Sequence, residues 1–267
     1  MRTTSLGLLA ASMILALAAA GQAPSPAKMD ELMHRSGVWD QATGLSANLI
    51  APGKDEDKLD PALQARARAA RQAGYSADIL RTRMRAYLAK HLAAPDVDAA
   101  LHWLDGDVGR TMTRLEIEES NSKPADAAAA QRLFAVISDN RRGRVERMTK
   151  YYGSGEAGVK TRIDVALASA QVFATASGKS SEYDELKRKL ESERPAMVQR
   201  AYEQALVNYN YLYRSLSLGE LDRYLEFAES PAGQRYGAAM RGAIHDALVA
   251  GSTDVAQYIV KTKDSPK

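Results

Sequence analysis

Two acidic residues stand at equivalent points of two similar stretches, and these are the positions where chemistry could reside. Residues 98–112 read Asp98-Ala-Ala-Leu101-His-Trp103-Leu-Asp105-Gly-Asp107-Val-Gly109-Arg-Thr-Met112. Residues 222–236 read Asp222-Arg-Tyr-Leu225-Glu-Phe227-Ala-Glu229-Ser-Pro231-Ala-Gly233-Gln-Arg-Tyr236. One shift of 124 positions (227 minus 103) brings an Asp, a Leu, an aromatic, an acid, a Gly and a large residue into register together. Symmetry therefore nominates Asp105 and Glu229 as a pair. A carboxyl that works as a general acid needs a pKa raised by burial or by a second carboxylate. The plainer role is structural, because an acid just before a helix start interacts favourably with the exposed amides. Trp103 and Phe227 divide in the same way, between lining a ligand pocket and filling a core.

Other chemistry is sparse. His34, His91, His102 and His245 are scattered, without the paired spacing that a zinc site on a helix needs. Asp105-Gly-Asp107 is too short for a calcium loop, which requires a longer acidic series ending in glutamate. There is no Gly-x-Ser-x-Gly and no phosphate-cradling glycine loop. The chain has no cysteine, which excludes disulfides, thiolate metal sites, a cysteine nucleophile and a lipidated cysteine. No cofactor, metal or catalytic residue is expected.

The elements that position these residues are helical. Val97, Leu101, Leu104, Val108, Met112 and Leu115 recur at spacings of three and four, as do Met197, Ala201, Ala205, Tyr209, Leu212 and Leu216. No stretch alternates long enough to argue a sheet. Ser217-Leu-Gly-Glu220 has the form of a capping box, with Leu216 and Leu221 as its hydrophobic staple, so a helix starts at Ser217. Ser230-Pro231 supplies a second cap with proline at the first helical position, and the motif becomes two helices joined at a capped corner. Gly233, and Gly109 in the other stretch, admit a close helix approach. In the first stretch Gly106-Asp107 stands where Ser230-Pro231 stands in the second, and Pro95-Asp96 replaces the capping box. The expected fold is an all-α helical bundle of two duplicated units without a sheet. Its segments are a signal peptide over 1–20, a first unit over 21–120, a linker over 121–130, a second unit over 131–260 and a disordered tail over 261–267.

Arg2, an uncharged Ala/Leu-rich run from Leu6 to Ala20 and the small residues up to Gly21 have the three-part form of a secretory signal, with cleavage after Ala20. A run of about 15 residues falls short of the roughly 20 that cross a bilayer. The expectation is a periplasmic protein with no stable membrane anchor. With 36 basic against 33 acidic residues the charge is +3, so no nucleic-acid partner is implied. The basic runs Arg66/Arg68/Arg71, Arg81/Arg83/Arg85 and Arg141 to Lys150 read as solvated helix faces.

Leu221 to Tyr236, with Phe227, Ser230-Pro231 and Gly233, resembles the signature of the bacterial domain of unknown function 2059, which runs as a Leu-rich helix, an aromatic pair, Ser-Pro-x-Gly and another helix. Met29 to Leu49, with Ser36-Gly37, resembles that family's early helix. The resemblance implies an exported, all-helical bacterial protein whose recurring positions cap and pack, and it carries over no catalytic residue. The function expected first is a non-catalytic binding or interaction module of the cell envelope, monomeric, with an envelope protein as partner. The alternative is a carrier of an apolar or aromatic ligand, because ten of the twelve tyrosines follow position 150, and Tyr202, Tyr209, Tyr213, Tyr224 and Tyr236 lie near the repeated corner. An envelope hydrolase using Asp105 or Glu229 stands behind both.

Overall fold

The computed structural model describes residues 23–53, 56–121 and 127–262. The expected signal peptide lies outside the described residues, as do 263–267 of the expected tail. Among the described residues every regular element is helical and none is a strand, so the fold is all-α. The first half holds α1 (Pro26–Arg35), α2 (Val38–Ile50), a short 3-10 turn (Glu56–Lys58), α3 (Pro61–Tyr75), α4 (Ala77–His91), α5 (Ala94–Leu104) and α6 (Asp107–Asn121). The second holds α7 (Ala127–Ala135), α8 (Asp139–Tyr152), α9 (Glu156–Ser177), α10 (Ser180–Leu212), α11 (Leu218–Glu229) and α12 (Pro231–Lys261). Ala127 to Ala130 of the expected linker already belong to α7, and α12 runs into the expected tail.

Helix starts follow local chemistry. Ser25, Asp60 and Ser230 each accept a hydrogen bond from an amide of the first turn, and each is followed by proline. That proline loses nothing, since its missing N–H had no intrahelical partner there. Gly37, after α1, and Gly153, after α8, have φ of 73° and 61°, the left-handed region that a residue without Cβ enters freely.

Apolar packing does not follow the 121–130 boundary. One cluster joins Leu32 and Met33 of α1, Leu80, Met84 and Leu88 of α4, and Val97 and Leu101 of α5 to Ala239, Ala243 and Ala247 of α12. The other joins Val108 and Met112 of α6 to Met148 of α8, Tyr213 and Leu216, and Leu221, Tyr224 and Leu225 of α11. Each half thus sends its last helix into the core of the other. What lets α12 lie so deep is its small face: Ala239, Ala243, Ala247 and Gly251 recur every fourth residue and are buried. A Cβ built on Gly74 of α3 would stand 2.3 Å from the Gly251 carbonyl oxygen, so the two backbones touch there.

The basic runs are clamps, and the expectation of solvated faces is corrected. Successive odd positions on α4 turn by about 200°, so Arg81 and Arg85, four apart, share one face while Arg83 points to the other. Arg81 lies over the Trp39 ring of α2, 4.4 Å from its centroid. Arg83 pairs with Asp254 of α12, and Arg85 with Asp30 of α1. Arg141 of α8 donates to the carbonyls of Tyr213 and Leu216 at 2.6 and 2.9 Å, satisfying acceptors left open where α10 ends.

Candidate functional site

The two corners meet face to face. Ser217 Oγ accepts from the Glu220 amide while the Glu220 carboxylate accepts from the Ser217 amide at 2.7 Å, and this hydrogen bonding lowers the Glu220 pKa. Thirteen residues on (230 minus 217), Ser230 Oγ accepts from the Gly233 amide at 3.0 Å, with Pro231 opening α12. A Cβ on Gly233 would fall 1.9 Å from the Phe227 carbonyl oxygen, and one on Gly109 would fall 2.3 Å from that of Trp103. The same offset of six residues separates glycine and carbonyl at both corners, so the close approach is to the last turn of the preceding helix. The first corner departs at its entry: α5 has no side-chain cap, and Asp96 holds Arg235 of α12 through both carboxylate oxygens. Trp103 stacks on Phe227, with centroids 5.1 Å apart and an interplanar angle of 8°.

Asp105 and Glu229 sit away from this contact. Neither covers the amides of the helix that follows it, as the sequence suggests; each reaches sideways to an arginine on a neighbouring helix. Asp105 pairs with Arg35 of α1 at 2.8 Å, and Glu229 accepts from Arg147 of α8 through both oxygens. Both side chains remain about half exposed, at 49% and 45%. The Arg147 hydrogen bonds hold Glu229 below the ordinary carboxylate range, the reverse of what a general acid requires.

Behind the stacked rings lies a cleft between the halves. Its inner chamber, of about 160 Å³, is lined by Trp103, Phe227, Tyr224, Tyr236, Glu116 and Arg241 among others. It adjoins an outer hollow of about 480 Å³ between α2 and the end of α10, with Leu45, Tyr209 and Tyr213 on its walls. Val38, Gln41, Glu116, Tyr152 and Ile244 line both. Glu116, on α6, is the polar centre of this wall. Its carboxylate accepts from the Tyr152 hydroxyl at 2.8 Å and from the Tyr213 hydroxyl at 2.5 Å, and those two hydroxyls are 2.9 Å apart. The residue is partly accessible through the cleft, yet its carboxyl is so enclosed that desolvation outweighs both hydrogen bonds and raises its pKa. Burial, reinforced by the Glu116 charge, pushes Tyr152, Tyr213 and Tyr224 well up as well, and Tyr151 and Tyr209 to about 12. These hydroxyls therefore keep their protons and act as donors. The Tyr224 hydroxyl is buried and near the Tyr152 hydroxyl, yet it makes no hydrogen bond of ordinary geometry among the described residues. An orphan of this kind calls for a water or ligand group to complete it.

Of the residues nominated from sequence, Trp103, Phe227 and Gly109 line the chamber, while Ser217, Glu220, Ser230, Pro231 and Gly233 build the corners that hold its walls. Glu116 was not nominated. One signal marks it: the 124-residue register places Met240 opposite Glu116 (240 minus 116), and both line the chamber, so a carboxylate stands where the other stretch has an apolar residue. A larger hollow of about 780 Å³, between the end of α2 and α3, is the weaker candidate. Its Arg71 and Glu56 are satisfied by each other at 2.7 Å. Among the described residues no group of three His, Asp or Glu is placed to hold a metal, and no helix is long and apolar enough to cross a membrane. Comparison with protein-family models, with curated proteins and with solved structures returned no match.

Proposed function

We propose that this protein is a non-catalytic binding protein that carries a ring-bearing, largely apolar ligand in the cleft between its halves. The observation that carries the reading is the inner chamber, walled by stacked aromatic rings and ending on the unpartnered Tyr224 hydroxyl. Ligand pockets are concave, mostly apolar and furnished with a few convergent polar groups, within roughly 300–1,000 Å³. The outer hollow, at about 480 Å³, falls in that range without the inner chamber. Tyrosines would be concentrated after position 150 because three helices of the second half, α8, α10 and α11, build this wall.

The same proposal includes export to the periplasm, carried by residues 2–21, and membership of the domain of unknown function 2059, carried by 29–49 and 221–236. Duplication of one helical unit also belongs to it. The matched glycine contacts, Trp103 stacked on Phe227, and the mutual exchange of α6 and α12 support that origin. The test is native mass spectrometry of protein released by gentle osmotic shock, comparing the wild type with Ile244→Trp, which fills the junction of chamber and hollow. An adduct present in the wild type and absent from the variant supports the carrier. A bare protein in both samples, or an adduct that survives in Ile244→Trp, counts against it and returns the search to envelope protein partners.

A further inference from the structure

The chamber has a charge pattern that its apolar walls do not explain. Arg241 of α12 lines it, yet the guanidinium donates only to the Tyr151 carbonyl and rests 5.9 Å from the Tyr151 ring centroid, forming no ion pair with a described residue. Most arginines of the interior are met by carboxylates, as Arg83 is by Asp254 and Arg85 by Asp30. Two donor groups without an anionic partner thus line the chamber: the remaining N–H groups of Arg241 and the Tyr224 hydroxyl. A guanidinium fork and a hydroxyl match a carboxylate, which takes several donors at once. The space beside them suits a single ring, since a cavity of roughly 150 Å³ admits benzene, and the chamber measures about 160 Å³. Trp103, Phe227 and Tyr236 supply ring faces there.

Resting on the cleft as the binding site, we infer that the ligand is a small aromatic carboxylate, its ring against Trp103 and Phe227 and its carboxylate held by Arg241 and Tyr224. Glu116 then sets the pH dependence. Among the described residues, the groups that face it are Tyr151 and Tyr152 from α8, Tyr209 and Tyr213 from α10 and its end, Tyr224 from α11 and Tyr236 from α12, with Arg241 of α12 on the wall of the same chamber; α2 presents uncharged Val38 and Gln41, and Glu119 of its own helix lines the outer hollow. Only a protonated Glu116 leaves the chamber positive. An anionic ligand therefore binds with proton uptake at Glu116, and affinity falls as pH rises through the raised pKa of that carboxyl.

Calorimetric titration of the full chain with phenylacetate, benzyl alcohol and benzylamine tests this. Phenylacetate is expected to bind at least about tenfold more tightly than either, with a heat that depends on the buffer's ionisation enthalpy because a proton is taken up. Glu116→Gln should retain binding and flatten its pH profile. Arg241→Met should erase the preference for the carboxylate, and Arg241→Lys should restore part of it. Equal or tighter binding of the alcohol or the amine overturns the carboxylate inference while leaving the cleft as a site for rings. Failure of all three to bind overturns both readings.

Discussion

The two corner glycines differ from an ordinary one in having no room for a methyl group. Gly233→Ala and Gly109→Ala would each drive a Cβ into a backbone carbonyl, and each should lose about 2 kcal/mol, shifting the urea midpoint down. Gly219, in the first turn of α11, has nothing within 4 Å of its Cβ position, so Gly219→Ala should hold or gain up to about 0.5 kcal/mol. A common sign for the three variants would mean that the corners do not touch as described. Glu116 gives a second prediction at this scale. Its folded pKa lies above its unfolded value, so its contribution is fully present below the ordinary carboxylate pKa and is lost as pH rises through the raised one. Urea midpoints followed across that window should decline in the wild type and decline less in Glu116→Gln. Caps were legible in the sequence because Ser217 meets Glu220, and Ser230 meets Gly233, three residues away. Glu116 was not, since Tyr152 and Tyr213 lie far along the chain and only the mismatch with Met240 hints at it.

At the scale of elements, the Ser230 corner carries a local stability contribution that can be removed alone. Ser230→Ala deletes the acceptor for the Gly233 amide and should cost about 1 kcal/mol in chemical denaturation with little change in helix content. Helix α12 depends instead on smallness. Ala243 is buried against the first cluster, and Ala243→Leu would overpack it by about 1–3 kcal/mol; a variant as stable as the wild type would contradict the depth assigned to α12. Periodicity revealed α5, α6 and α10, because large apolar residues recur along one face of each, and the capping box revealed the start of α11. The placement of α12 was hidden, since alanine and glycine carry little hydropathy contrast and a small stripe does not announce which helix it receives. The arginines of α4 misled for a related reason: charge reads as solvent exposure until partners from α1, α2 and α12 are in place.

On the scale of the whole molecule, exchange of α6 and α12 makes two clusters into one cooperative unit. In Trp103→Phe, Trp39 is the remaining tryptophan and reports the first cluster, while near-ultraviolet circular dichroism of the buried tyrosines reports the second. Their unfolding curves should coincide, as in a two-state transition. Separate midpoints would mean that the halves melt independently.

Burial of α12 in the first cluster also orders events in time. The residues of α1, α4 and α5 leave the ribosome early, but the alanine face they close upon is made from residues 239–247, more than a hundred residues later. Whether the chain is being made or is crossing a membrane from its N-terminus, Leu80, Met84 and Leu88 have no final partner until residues 239–247 follow. The emerging chain is thus exposed to aggregation until that face follows, and a nonsense mutation ahead of Ala239 would strand the first half as well as the second.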